Sequence, residues 1–142
     1  SLETELALEH LQKLCSGARA PLPIYDFSTH LRSTEVRWLL PTPVLVIEGI
    51  LVLQQPELRA FMDLKVFVEA DPDVRALRRI ERDQRERGRT MESIQQQFLD
   101  RVKPMHDRYV DPSRNHADIV IPNNQQNLEA LRTLEARLRT VL

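Results

Sequence analysis

The residues best suited to chemistry are arginines that crowd the segment from position 71 to position 89. There are seven of them: Arg75, Arg78, Arg79, Arg82, Arg85, Arg87 and Arg89. A guanidinium group is planar and can bind two phosphate oxygens at once, so such an array suits a phosphate-bearing ligand. Four acids alternate with these arginines, namely Asp73, Glu81, Asp83 and Glu86. On this segment alone, a solvent-exposed helix with many salt bridges is the favoured alternative interpretation.

The arginine segment is predicted to be helical. Asp71 is a suitable N-cap, Pro72 suits the first helical position, and Gly88 ends the helix. Helical spacing predicts one face with Arg75, Arg78 or Arg79, Arg82, and Arg85 or Arg89. It predicts a second face towards a core, made of Val74, Leu77 and Ile80.

Glu48 is the candidate carboxylate. It follows Val44–Ile47, four consecutive aliphatic residues, and precedes Gly49. Continuous apolarity is typical of a parallel strand that is covered on both faces. Ligands bind at the carboxyl ends of such strands, so Glu48 is a candidate ligand-binding acid. Alternatively, Glu48 caps the next helix.

Residues 21–40 are predicted to form a β-hairpin. The prolines at positions 21 and 23 favour extended backbone, and residues 34–40 alternate well enough for a return strand. The tip would carry Tyr25, Phe27, His30 and Arg32. These side chains could enclose a flat heterocycle, or the hairpin could be a surface ribbon whose aromatic rings pack on the body.

The remaining segments alternate between strand and helix. Strands are predicted at 64–69 and 117–122. Helices are predicted at 2–14, 55–61, 90–109 and 127–142, with Thr90 as an N-cap and a kink or break at Pro104. This order predicts one α/β domain over residues 1–142 with a parallel sheet.

Composition narrows the classes of partner. The chain has 142 residues, 42% hydrophobic and 29% charged, with a net charge of −1. General attraction to nucleic acid or to an acidic membrane is therefore not expected. RNA binding by the arginine helix is nevertheless one hypothesis for this chain. One cysteine, no apolar run of membrane-spanning length and scattered histidines predict a cytoplasmic protein without a structural metal.

Glycine is scarce in this chain. The three glycines are Gly17, Gly49 and Gly88, so neither G-x-x-x-x-G-K-[S/T] nor G-x-G-x-x-G occurs. A backbone cradle for the phosphates of a nucleoside triphosphate would therefore have to lie outside these residues.

The chain resembles the C-terminal two-thirds of uridine kinases (uridine–cytidine kinases), a family of P-loop nucleoside kinases. The resemblance keeps one register over nearly all 142 residues. It depends on the order and spacing of these segments: 23–30 with Arg32, 46–51, 62–68, 78–83, 86–89, 102–106, 111–113 and 117–122.

The resemblance implies a three-layer P-loop kinase fold, incomplete in these residues, with a hairpin flap at 21–40 and a helical lid at 79–97. The implied reaction is phosphorylation of uridine or cytidine by ATP or GTP with Mg²⁺, and homo-oligomers are possible. The implied partners are a pyrimidine nucleoside and a nucleoside triphosphate, with no nucleic acid and no membrane. Tyr25, Phe27 and His30 would bind the pyrimidine. Glu48 would lie near the metal and the reacting phosphates, and Arg79 and Arg82 would contact the sugar and phosphates. Gln97 would contact the nucleoside, and Arg87 and Arg89 would bind the nucleotide under the lid. Glu48 and Arg82 would have the catalytic roles.

The sequence departs from the family pattern in two respects. The first strand, the P-loop and the aspartates that hold the ribose and take the hydroxyl proton are expected to precede the residues matched here. Asn123 and Asn124 also replace the usual Arg-Gly on the adenine side. Two hypotheses follow: a nucleoside kinase whose 142-residue piece is inactive alone, or a degenerate relative that only binds nucleosides.

Overall fold

A computed structural model of the chain describes residues 4–26 and 31–142. The chain divides into two compact units, one made of residues 1–47 with 137–142 and the other of residues 48–136. The single domain over 1–142 stays a prediction. Across the described ranges, no helix has both the length and the apolar character needed to cross a bilayer.

The first unit contains one helix and one hairpin. Its elements are α1 (Thr4–Cys15), β1 (Ala20–Asp26) and β2 (Leu31–Leu39). Helix α1 buries Leu11 and Leu14 and ends before Gly17, whose φ of 82° lies in the left-handed region that favours glycine. This agrees with the helix predicted at 2–14.

The predicted hairpin is confirmed in its two strands. β1 and β2 pair antiparallel, with Ala20 opposite Leu39 and Tyr25 opposite Arg32, and a register shift lies between Pro23 and Tyr25. Prolines cannot donate backbone hydrogen bonds, so two of them are tolerated in a strand that belongs to a two-stranded ribbon. The predicted tip residues Phe27 and His30 lie outside the described residues.

The second unit is mixed α/β. Its regular elements are α2 (Pro56–Arg59), β3 (Val66–Glu69), α3 (Pro72–Arg87), α4 (Met91–Gln97), α5 (Lys103–Met105), β4 (Ile119–Pro122) and α6 (Leu128–Arg139), the last of which continues into the other unit. β3 and β4 pair parallel, with Val66 opposite Ile119. The strands predicted at 64–69 and 117–122 and the α/β class are confirmed. The three-layer arrangement, the flap and the lid stay predictions.

The buried strand predicted from the aliphatic run before Glu48 is wrong, because residues 41–49 have no regular secondary structure apart from one bend. Leu45 is 39% exposed and Val46 is 76% exposed, so this apolar run is not covered on both faces. A strand requires a hydrogen-bonded neighbour, and in the described part of the chain no segment pairs with this one. Apolarity alone therefore predicted an element that pairing does not support here.

The core of the second unit includes Leu53, Leu58, Ile94 and Ile121. Leu77, which was predicted to face a core, is 66% exposed, so that prediction is wrong. Helix α3 instead packs against α4 with the face that carries Ala76 and Ile80, beside Ile94 and Phe98.

The segment after α4 remains helical through Pro104 but changes its hydrogen-bond spacing. Residues Phe98–Val102 and His106–Val110 are π-helical, and α5 lies between them. The N–H of Lys103 bonds to the carbonyl of Phe98, five residues back. Proline has no N–H to donate to the carbonyl four residues earlier, so the predicted interruption takes the form of widened turns.

Candidate functional site

Four arginines converge on one carboxylate in the second unit. Asp83 is completely buried, with an exposed fraction of 0%. Its oxygens lie 2.8 Å from Nη2 of Arg82, 3.3 Å from Nη1 of Arg87, 3.5 Å from Nη2 of Arg79 and 3.6 Å from Nη1 of Arg89. We call these five residues the arginine cluster. Its formal charge is +3, from four guanidinium groups and one carboxylate.

Local sequence explains how the cluster forms. Arg79, Asp83 and Arg87 are spaced four residues apart, so they lie on one face of α3. Gly88 then adopts φ 59°, and the backbone N–H groups of Gly88 and Arg89 both donate to the carbonyl of Asp83. This left-handed turn ends α3 as predicted and directs Arg89 back towards the same carboxylate.

Gln97 adds a second acceptor to the cluster. Its Oε1 accepts hydrogen bonds from Nη2 of Arg79 at 2.7 Å and from Nη1 of Arg89 at 2.6 Å. Gln97 is the last residue of α4. The N-cap of α4 is Thr90, whose hydroxyl accepts from the N–H of Ser93 as the sequence predicted. A side chain predicted to lie near a nucleoside is therefore bonded to two of the predicted site arginines.

Not every arginine of α3 joins the cluster, so the predicted shared face is only partly correct. Arg85 pairs with Glu81 and Glu86 on the exposed side of the helix. Arg78 donates to the backbone carbonyl of Asn124. The salt-bridge interpretation is therefore confirmed for Arg85. Four other arginines gather on the buried Asp83, and their binding of a phosphate-bearing ligand stays a prediction.

The charges of the cluster alter the pKa values of its members. Burial alone would raise the pKa of Asp83, but the hydrogen bonds from Arg82 and the charges of Arg82, Arg79 and Arg87 lower it below its usual range. Burial lowers the pKa of Arg79, and the nearby Arg82, Arg89 and Arg87 lower it further, against the attraction of Asp83. Asp83 is therefore ionised at neutral pH.

The lowered pKa of Asp83 predicts a specific loss of stability in acid. A carboxylate with a depressed folded-state pKa stabilises the fold above its unfolded-state pKa of about 3.9, and this contribution disappears as the pH falls through the folded-state value. Urea midpoints of the wild type and of Asp83→Asn, measured from pH 7 to pH 2, should differ by a constant amount down to about pH 4 and then converge. Asp73→Asn, on the same helix and exposed, is the matched control. A difference that stays constant to pH 2 would contradict the prediction.

Sequence reasoning missed the central place of Asp83, which it treated as one of several acids interleaved with the arginines. A signal was present, since Asp83 has arginines four residues before and after it and Gly88 five residues after it. That spacing distinguishes Asp83 from Glu81 and Glu86, which pair with one arginine on the exposed surface.

Glu48 does not stand at the end of a buried strand. It lies in irregular, exposed backbone near the start of the second unit. Among the residues the structure describes, no three His, Cys, Asp or Glu side chains are grouped to hold a metal ion. A metal bound by Glu48 would therefore need ligands from elsewhere, and its metal role stays a prediction.

The hairpin residues can be placed only in part. Tyr25 lies on β1 of the first unit and is 45% exposed. Phe27 and His30 fall in the undescribed range 27–30, and Arg32 is described only as backbone on β2. Their roles as pyrimidine contacts stay predictions.

Both asparagines after β4 have structural partners, and the backbone N–H of Asn123 donates to the carbonyl of Glu69 at 2.7 Å. The side-chain amide of Asn124 donates to Asp71 at 2.7 Å and its oxygen accepts from the N–H of Asp71 at 2.8 Å. Asp71 thus occupies the predicted N-cap position of α3 without capping it by its side chain. An open cavity of about 500 Å³ lies beside Asn124, between Pro122 and Glu129.

A βα unit whose helix gathers guanidinium groups suits an α/β enzyme of the kinase type. Comparison with known proteins agrees: the sequence model of the phosphoribulokinase/uridine kinase family matches residues 2–130. The chain therefore belongs to the phosphoribulokinase/uridine kinase family. A uridine kinase of Geobacillus kaustophilus is 43% identical over all 142 residues, which cover 67% of its own length. Uridine kinases of Bacillus anthracis and Bacillus cereus are 42% identical over the same shares.

Proposed function

We propose that this chain is part of a uridine kinase, which transfers a phosphoryl group from ATP or GTP to the 5′-hydroxyl of uridine or cytidine, giving UMP or CMP in pyrimidine salvage. The observation that carries this proposal is the convergence of Arg79, Arg82, Arg87 and Arg89 on one buried carboxylate. The relatives that match the whole chain are uridine kinases, which supports the same reaction.

The arginine cluster suits phosphoryl transfer. This reaction requires little covalent chemistry from a protein; it requires that reactants be held in line and that charge on the phosphate oxygens be neutralised. A formal charge of +3 gathered on one side of α3 and at the start of the following segment provides that neutralisation. In our proposal Arg79 and Arg82 face the sugar and phosphates, while Arg87 and Arg89 belong to a lid at 79–97 that excludes water.

The residues fit a magnesium–nucleotide complex rather than a metal bound by protein alone. Mg²⁺ is usually held by one or two carboxylates together with substrate phosphates and water. Glu48 is an exposed single carboxylate, and the described residues contain no larger ligand group, which suits that mode. Bound Mg²⁺ would supply charge neutralisation at the transferred phosphate.

The pyrimidine is proposed to bind at the hairpin. The half-exposed ring of Tyr25 offers a flat apolar surface. Phe27 would add a second ring, His30 a hydrogen bond to the base edge, and Gln97 a contact to the nucleoside. The 142 residues contain no P-loop motif, so we propose that a polypeptide of these residues alone does not catalyse nucleoside phosphorylation.

The test is nucleoside phosphorylation by the complete natural protein. With ATP and Mg²⁺ it should convert uridine to UMP, whereas the 142-residue polypeptide should not. Calorimetry of the complete protein should show uridine affinity falling at least about tenfold in His30→Ala, the equivalent of roughly 1.4 kcal/mol for a lost hydrogen bond to the base. His116→Ala, an exposed histidine of the second unit, is the matched control.

The outcomes separate the two hypotheses. Uridine binding without phosphorylation would favour a nucleoside-binding module over a kinase. Turnover by the 142 residues alone would contradict our assignment of the phosphate cradle to residues outside them. An unchanged affinity in His30→Ala would remove the hairpin from the pyrimidine site.

A further inference from the structure

Asp83 is unusual among the charged side chains of the described residues. With Ile94, it is one of the two largest side chains that are less than 2% exposed. Charged groups are almost never fully buried unless they are paired, and burying a carboxylate is costly even then. Asp83 meets this condition, because four arginines surround its carboxylate.

The two carboxylate oxygens of Asp83 differ in their hydrogen bonds. Arg82 donates to Oδ1 twice, from Nε at 3.0 Å and from Nη2 at 2.8 Å. These two bonds fix the plane of the Arg82 guanidinium and leave its Nη1 edge for another acceptor. The second oxygen, Oδ2, has no hydrogen-bond partner among the described residues, although Arg79 and Arg89 lie 3.5 Å and 3.6 Å away.

Each of those two arginines donates a hydrogen bond elsewhere, although Nε of Arg79 is buried without a hydrogen-bond partner among the described residues. Both donate to Oε1 of Gln97 while they remain near Oδ2 of Asp83. The carboxylate thus attracts them by charge, and the amide oxygen sets their direction. Arg79 and Arg89 are ten residues apart in sequence, so a shared neutral acceptor links the α3 side of the cluster to the segment after Gly88.

We propose that Asp83 is a positioning residue: it holds the four guanidinium groups at fixed spacing, with Gln97 as the second acceptor, while it leaves a net positive charge for the triphosphate. This inference rests on the proposed function. A neutral residue at position 83 would leave four like charges to repel one another. A second acid would lower the net charge of the cluster from +3 to +2 and so weaken its attraction for a phosphate.

The same geometry argues against a metal at Asp83. Its oxygens are within 3.6 Å of four guanidinium groups, which repel a divalent cation. The described residues place no group of three acidic, His or Cys side chains there. Asp83 therefore acts through the arginines, and its effect on the reaction should be separable from the requirement for Mg²⁺.

The test compares Asp83→Asn with Glu81→Gln, an exposed acid on the same helix, in the complete protein. For Asp83→Asn we expect kcat to fall about 100-fold, because small displacements of positioning groups have costs of that order. Binding of inorganic tripolyphosphate should be as tight or tighter, with a steeper salt dependence, since the cluster gains one net positive charge. The Mg²⁺ concentration for half-maximal rate should not change. Glu81→Gln should match the wild type in all three.

Two further measurements keep the inference independent of activity and of folding. Nitrogen-15 NMR should show a shifted, slowly exchanging Nε–H of Arg82 that is lost in Asp83→Asn, whether or not the wild type phosphorylates a nucleoside. If Asp83→Asn does not fold, Gln97→Met should fold, keep tripolyphosphate binding and lose about tenfold in kcat. An unchanged kcat in either folded variant, an unchanged Arg82 signal, or a tenfold rise in the Mg²⁺ requirement would each overturn the proposal.

Discussion

Replacement of Arg82 with alanine should lower kcat for uridine phosphorylation about 10²–10³-fold in the complete protein, the usual effect of removing one donor that stabilises transition-state charge. Arg82 is 43% exposed, and its Nε and Nη2 are held on Asp83, so its Nη1 edge can reach a ligand. The measurement is steady-state kinetics with ATP and uridine varied separately. Because the loss arises in the transition state, kcat should fall more than the two KM values change.

Arg85→Ala is the matched control for Arg82→Ala. It removes the same kind of side chain from the same helix, three positions away, where the side chain is 65% exposed and pairs with Glu81 and Glu86. Exposed pairs of this kind contribute little, so kcat should stay within about twofold of the wild type. Equal losses in the two variants would mean that the general charge of α3, rather than the arginine cluster, supports the reaction. An unchanged kcat in Arg82→Ala would remove Arg82 from the site.

Replacement of Ile94 with alanine should reduce the free energy of unfolding by about 2–5 kcal/mol, the range for truncating a fully buried isoleucine. Ile94 is 1% exposed and lies on α4 beside Ile80 and Phe98. It is three residues from Gln97, on the same side of the helix, so loosening α4 should also disturb the acceptor shared by two arginines. Urea unfolding measures the first effect, and the NMR signals of the arginine Nε–H groups report the second.

Leu99→Ala is the control for Ile94→Ala. Leu99 follows α4 and is 63% exposed, so its truncation should change the unfolding free energy by less than about 0.5 kcal/mol. If Ile94→Ala were equally mild, the packing of α3 on α4 would not be what stabilises the second unit. If it destabilised the fold but left the arginine signals intact, the cluster would be independent of α4.

Elements with local signals were predictable from the sequence. Helix α3 begins after Asp71 and ends at Gly88 because proline, glycine and helical spacing act within a few residues of one another. The parallel pair of β3 and β4 followed from two short apolar runs separated by helices. The strand predicted before Glu48 was wrong because its signal was only local. Apolar composition is a property of the segment itself, whereas strand formation depends on a partner strand elsewhere in the chain.

The site was predictable as a set of residues but not as an arrangement. Arg79, Arg82, Arg87, Arg89 and Gln97 were all expected at a site, and the structure brings these five together. The burial of Asp83 was not foreseen, because it depends on the turn at Gly88 and on the packing of α4, which lie outside the helix that carries it. The proposed contacts of Tyr25, Phe27 and His30 with a base remain predictions.

The widened turns on either side of Pro104 have a consequence for how this segment tolerates changes of length. A π-helical turn accommodates one residue more than an α-helical turn over nearly the same rise. Removal of one residue from 98–102 or from 106–110 could therefore restore ordinary α-helical spacing and keep both ends of the segment in place. A single-residue deletion usually rotates the rest of a helix by about 100° relative to what precedes it. Here the conversion of a π-helical turn to an α-helical turn would keep the orientation of the residues that follow.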